Sequence, residues 1–183
     1  DKIIEAVTFD AGPVIERLNE LVPGAVFAVE DVHGVFYTTR MFSTGPLGLR
    51  IKEVSFEDLA KEPVVRLVMR SNRHTEEAFG EAAAQLGFHQ VVYGVADVAW
   101  MDVGPHDVTK ASMLQEVCSR KGMRADRVIA IGDNWNDVPM LEWAGLGVAM
   151  GSAVPQIQAK ANLITLAEPG DGAAAVLEAV ASR

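Results

Sequence analysis

The sequence predicts an α/β protein: the C-terminal half of a doubly wound core, preceded by an α+β module. Two observations carry this. After Gly104-Pro105, short apolar strands alternate strictly with helices, the pattern of a parallel sheet with crossover helices. Before that point, strands come in turn-joined pairs with few helices between them. The expected domains are therefore 1–105 and 106–183.

Residues 3–9 (IIEAVTF) read as a strand, and Pro13 then opens a helix with Val14, Ile15, Leu18, Leu21 and Val22 on one face. Residues 25–30 and 34–39 form a strand pair around Asp31-Val32-His33-Gly34, and 43–49 (STGPLGL) is loop-like. A short helix near 56–61 precedes the strand 64–69. The next helix runs from Thr75 to Leu86 with Gly87 as its stop, followed by strands at 90–94 and 97–103. Thr109–Lys121 is helical, with Met113, Leu114, Val117 and Cys118 on one face. Strands at 127–131, 146–150 and 162–166 then alternate with helices at 136–144, 154–160 and 172–182. The strand 127–131 is apolar throughout, so it is expected to be central, with neighbours on both edges.

At 183 residues and 49% hydrophobic, the chain can bury a real core. Sixteen basic against 25 acidic residues give a net charge of −9, and no Lys/Arg run occurs. Binding to nucleic acid or to an anionic membrane is therefore not expected, because both need clustered cations. No apolar run approaches a membrane span, and neither a signal peptide nor a disulfide framework can be read. The single Cys118 fits a core position and a reducing, cytoplasmic setting. The chain opens on Asp1, not Met, and is expected to be a piece of a longer polypeptide. Nothing in it indicates an oligomeric state.

The chemistry concentrates in "VIAIGDNWND", residues 128–137. In open α/β sheets ligands bind at the carboxyl ends of strands, where Gly132 allows a sharp turn and Asp133, Asn136 and Asp137 follow. Two carboxylates on one loop suit a hard divalent cation, and Asn136 could reach a phosphate oxygen. The plain alternative is an Asp/Asn-rich turn capping a helix. Lys110 lies in the first turn of its helix, where the macrodipole disfavours a cation, so an anion is expected beside it.

"VTK" at 108–110, followed by "GDNWNDVPML" with Asp133 lying 23 residues after Lys110, resembles two motifs of the haloacid dehalogenase superfamily. More narrowly, it looks like the Cof-type phosphatases that carry a large α/β cap. "AGLGVAMGSA", Lys160-Ala161 and Asp171-Gly172 continue the likeness, which is close over 106–183 and covers 1–105 only in element order, as the cap. The resemblance implies Mg²⁺-dependent hydrolysis of a phosphomonoester through an aspartyl-phosphate. Asp133 would be a metal ligand and Asp137 a second, direct or through water. Lys110 would be catalytic, neutralising charge on nucleophile and phosphate, and Asn136 would touch the phosphate. The implied substrate is a small phosphorylated metabolite such as a sugar phosphate.

The family's first motif, D-x-D-G-T, does not occur in these residues, and its Ser/Thr motif has no clear match. Asp10 in "AVTFDAG" and Ser71 in "RLVMRSN" imitate them, but Gly12 stands where a general acid belongs. Asp10 is better read as a turn or cap residue. The nucleophile is accordingly expected upstream of Asp1, and this chain alone is expected to be inactive. The rival readings are a non-catalytic module binding phosphate compounds or Mg²⁺, and a phosphotransferase with the same core. Trp135 could wall the pocket or merely pack. Arg70, Arg73 and His74 could meet a polar substrate but read better as a solvated loop, and 43–49 reads as an ordinary connection. His33, His89 and His106 show no metal spacing.

Overall fold

The computed structural model describes residues 5–41, 50–86, 89–95, 98–167 and 171–182. The chain divides into two compact units, Asp1–Asp107 and Val108–Arg183.

The first unit is built on a six-stranded sheet. Its elements are α1 (Gly12–Leu21), β1 (Val26–Glu30), β2 (Val35–Thr38), β3 (Arg50–Glu53), β4 (Arg66–Ser71), α2 (Glu76–Ala83), β5 (His89–Val95) and β6 (Val98–Gly104). The spatial order is β3-β2-β1-β4-β6-β5, antiparallel except where β3 joins β2 in parallel. Alternation along the strands sends Phe27, Val29, Leu67, Met69, Met101 and Val103 to one face. There they pack against Val14, Ile15 and Leu18 of α1 and Phe79, Ala82 and Ala83 of α2. Ala28, Phe36 and Val68 point the other way, and no residue of α1 or α2 belongs to their cluster.

Three elements differ from the sequence reading. Residues 5–9 do not form a strand and make only an isolated bridge, Phe9 to Val64. Residues 56–61 form turns, with Asp58 N–H donating to Ser55 and Leu59 N–H to Phe56. The sequence reading missed β3 altogether. Its Arg-Ile-Lys-Glu composition carries no strand signal, and it forms because β2 offers an edge. The loop 43–49 and Gly87 lie outside the described residues.

The second unit contains α3 (Lys110–Arg120), β7 (Ile129–Gly132), α4 (Val138–Trp143), β8 (Leu146–Ala149), α5 (Pro155–Gln158), β9 (Leu163–Ile164) and α6 (Asp171–Ala181). β7, β8 and β9 form a parallel sheet in that order, as the alternation of strands and helices predicts. Cys118 is buried and free, but Val117 faces solvent instead of the core. Among the described residues β7 lies at an edge, with Ile129 exposed, where a central position was expected. A groove of about 650 Å³ runs beside the sheet, lined by Ile129, Leu146, Leu163, Ile164, Val176 and Val180. No described helix is long and apolar enough to cross a membrane.

Candidate active site

The loop after β7 is built around one buried carboxylate. Asp137 closes a short 3₁₀ turn, Trp135–Asp137, that leads into α4. Its Oδ2 accepts from the backbone N–H of Asp133 at 3.0 Å and of Asn134 at 3.1 Å. Its Oδ1 accepts from Lys110 Nζ. The side chain of Asp137 is only 4% exposed, while that of Lys110 is 49% exposed. Burial alone would raise the Asp137 pKa. The Lys110 ammonium and the two amides outweigh burial and hold it below the usual carboxylate value.

Lys110 thus has its anion. Its helix is capped by Thr109, whose hydroxyl accepts from Ser112 N–H while Ser112 Oγ receives Thr109 N–H. That reciprocal cap fixes the first turn of α3 and the origin of the lysine side chain.

Gly132 has a role that the sequence reading assigned to the wrong cause. Its φ is not positive, so the turn does not require glycine's conformational freedom. A Cβ there would lie 2.4 Å from Asp137 Cβ and 2.8 Å from its Cγ. Glycine is present because the buried carboxylate folds back onto the end of β7.

Asp133 and Asn136 complete the loop. Asp133 is exposed, and its carboxylate makes no hydrogen bond or ion pair among the described residues. Asn136 Oδ1 is buried without a hydrogen-bond partner, a state that costs about 1–3 kcal/mol unless a ligand relieves it. Trp135 stands exposed beside them, and Asn134 Oδ1 receives Trp135 N–H at 2.7 Å. Lys110 and Asp137 therefore meet at the carboxyl end of β7, on the loop that also carries Asp133 and Asn136. These donors are all oxygens apart from the lysine, which suits a hard divalent cation next to an anion. Asn134, which the sequence reading did not single out, orders the turn; its place at the start of the turn was the available signal.

The remaining candidates belong to the first unit and make local bonds there. Asp10 Oδ1 accepts from Gly12 N–H at 2.9 Å, making a local turn ahead of α1. Ser71 is buried, with Oγ 2.9 Å from His74 Nδ1 and accepting from Arg73 N–H. That closes the loop after β4. No group of three or more His, Cys, Asp or Glu side chains able to hold a metal occurs among the described residues.

A family model for haloacid dehalogenase-like hydrolases matches residues 36–177. The chain belongs to that family. A putative phosphatase from Haemophilus influenzae is 42% identical over 79 residues, which is 43% of this chain and 30% of the relative. The crystal structure of SMU.1108c from Streptococcus mutans superposes with a TM-score of 0.79 at 22% identity, covering 99% of this chain and 71% of that one. A structure described as a subclass IIB sugar phosphatase of the same superfamily gives a TM-score of 0.75 at 22% identity, covering 94% and 66%. The chain spans less than half the length of the curated relatives that it matches. As a member of the haloacid dehalogenase-like hydrolases it is an α/β protein.

Proposed function

We propose that this chain holds the metal and phosphate side of a Mg²⁺-dependent phosphomonoesterase acting on a small phosphorylated metabolite, with residues 1–105 serving as its cap. The observation that carries the reading is the division of labour between two aspartates on one loop. Asp137 is buried and spends three of its acceptor positions on Lys110 and two amides, while Asp133 stands exposed with its carboxylate open. Asp133 would hold the cation directly, and Asp137 would add its charge through water. Bound there, Mg²⁺ would offset repulsion between anionic phosphate and carboxylate.

Lys110 keeps part of its positive charge directed outward, because only one of its three donors is drawn to Asp137. It would neutralise a phosphoryl oxygen at that point. Asn136 would fix the orientation of the bound group by donating from its amide nitrogen to a phosphate oxygen. The nucleophilic aspartate that would form an aspartyl-phosphate is not offered by a D-x-D-G-T motif in these 183 residues, and would come from outside them. The description of one structural neighbour as a sugar phosphatase supports a sugar phosphate as the substrate class.

Calorimetric titration of Mg²⁺ into the 183-residue chain tests the metal half without any turnover. Binding is expected in the parent chain and lost in Asp133→Asn; equal binding by that variant would remove the basis of the reading. An assay with p-nitrophenyl phosphate is expected to show no Mg²⁺-dependent turnover by this chain. Turnover above background would place a nucleophile inside it, with Asp10 the residue to test.

A further inference from the structure

The loop after β7 separates inward from outward side chains. Asp137 is buried and folds back on Gly132, and Asn136 has its Oδ1 buried. Asp133, Asn134 and Trp135 are all exposed. The 3₁₀ turn Trp135–Asp137 makes this division, because three residues per turn send three successive side chains in three directions. If phosphate meets Lys110 and Asn136, its organic group must extend toward solvent past the exposed residues.

Those three residues are not equivalent. Asp133 presents an open carboxylate, and Asn134 Oδ1 is committed to Trp135 N–H at 2.7 Å. Trp135 alone offers apolar surface. Its backbone is held on both sides, the N–H by Asn134 and the carbonyl by Val138 N–H. Its side chain is not held. Trp135 is 54% exposed, and among the described residues its ring enters no aromatic or cation–π contact. The other two tryptophans are committed: Trp143 packs against the core around Ala130 and Leu141, and Arg70 lies over the Trp100 ring. The exposure of Trp135 argues against the mere packing that its sequence left open. Chain geometry keeps it close to the chemistry, its Cα about 3.8 Å from that of Asn136 and at most about 7 Å from that of Asp133.

A fixed backbone carrying an uncommitted indole is an anchor for a flat partner, since stacking recovers the apolar surface now left in water. We infer that Trp135 sets specificity at this site by stacking on a ring carried by the organic part of the phosphomonoester. This role rests on the phosphatase reading and narrows its substrate class to phosphates that bear a ring. A sugar ring would lay its C–H face on the indole, and an aromatic ring would stack offset on the same surface.

Calorimetric titration into the 183-residue chain with Mg²⁺ present compares inorganic phosphate, glucose 6-phosphate and phenyl phosphate. At least one ring phosphate is expected to bind the parent about fivefold tighter than inorganic phosphate. In Trp135→Ala that advantage should fall below about twofold, while Trp135→Phe, which keeps a flat ring, retains most of it. Inorganic phosphate should bind all three chains alike, and far-UV circular dichroism checks that replacing this exposed residue leaves the fold intact. The ring phosphate with the larger Trp135-dependent advantage distinguishes a sugar from an aromatic substrate; either supports the role. An advantage that persists in Trp135→Ala, or none in the parent, overturns the role and leaves the phosphatase reading standing. Equal weakening of inorganic and ring phosphates in Trp135→Ala also overturns it, because Trp135 would then only hold the loop. Absence of binding by all three compounds overturns the phosphatase reading and this role with it.

Discussion

The two units use glycine and bulk in opposite ways. The first is held by large side chains that fill volume between a sheet and two helices: Phe27, Leu18, Leu67, Met69, Phe79 and Met101 are all fully buried. Its Gly80 and Gly104 have open space where a Cβ would stand, and Gly24 and Gly34 serve turns with positive φ. The second unit has a core of Ala130, Leu141, Ala144, Ala153 and Ile157, with smaller residues dominant. There, added Cβ atoms at Gly145, Gly147 and Gly151 would meet backbone at 2.6, 2.1 and 2.5 Å. One unit is fixed by side-chain packing and the other by backbone pressed against backbone. Close backbone approach leaves little slack at the strand ends, which is where Asp133, Asn136 and Asp137 must be held.

The sharpest way to break this contrast is Gly147→Ala. The new methyl would lie 2.1 Å from the Leu141 carbonyl oxygen, in a helix that cannot yield without losing its contact with β8. A loss of roughly 3 kcal/mol or more is expected. Hydrogen exchange should show it in β7 and β8 while β1 and β4 keep their protection. Equal loss of protection in both units would mean that the units are not secured separately.

Asp137→Asn probes the charge at the centre of the loop. The substitution puts an amide where Lys110 and two N–H groups now converge, and about 1–3 kcal/mol of stability should be lost at neutral pH. The sign of the pH dependence follows from the depressed pKa of the folded state. Asp137 contributes its stability above the ordinary carboxylate value of 3.8, and that contribution disappears as pH falls through the lower folded value. Urea midpoints between pH 7 and pH 3 should therefore fall more steeply at the acid end for the parent chain than for Asp137→Asn. Parallel curves would show that the buried carboxylate is not the group being titrated.

Much of this was legible in the sequence, and the exceptions have physical causes. The parallel β7-β8-β9 order follows from apolar strands alternating with helices, which leaves few topologies. Lys110 betrayed its partner by standing where the helix dipole opposes it, and that partner is Asp137. The sequence did not reveal why Gly132 is glycine, because the clash is with a side chain five residues on, not with its own φ. It hid β3, whose Arg-Ile-Lys-Glu run forms a strand only because β2 presents an edge.

Gly80→Ala is the smallest effect and the complement of Gly147→Ala. Gly80 lies inside α2, exposed, with no atom within 4 Å of where a Cβ would stand and with an ordinary negative φ. Nothing in the folded state opposes the methyl, while the unfolded chain loses conformational freedom. Stability should rise by about 0.5–1 kcal/mol. The gain should appear as slower exchange in α2 and a higher urea midpoint for the first unit alone. The same substitution, glycine to alanine, would then stabilise one unit and destabilise the other. If Gly80→Ala instead destabilises, α2 must be packed more tightly than its open surroundings indicate, and the distinction between packing by side chains and packing by backbone fails for the first unit.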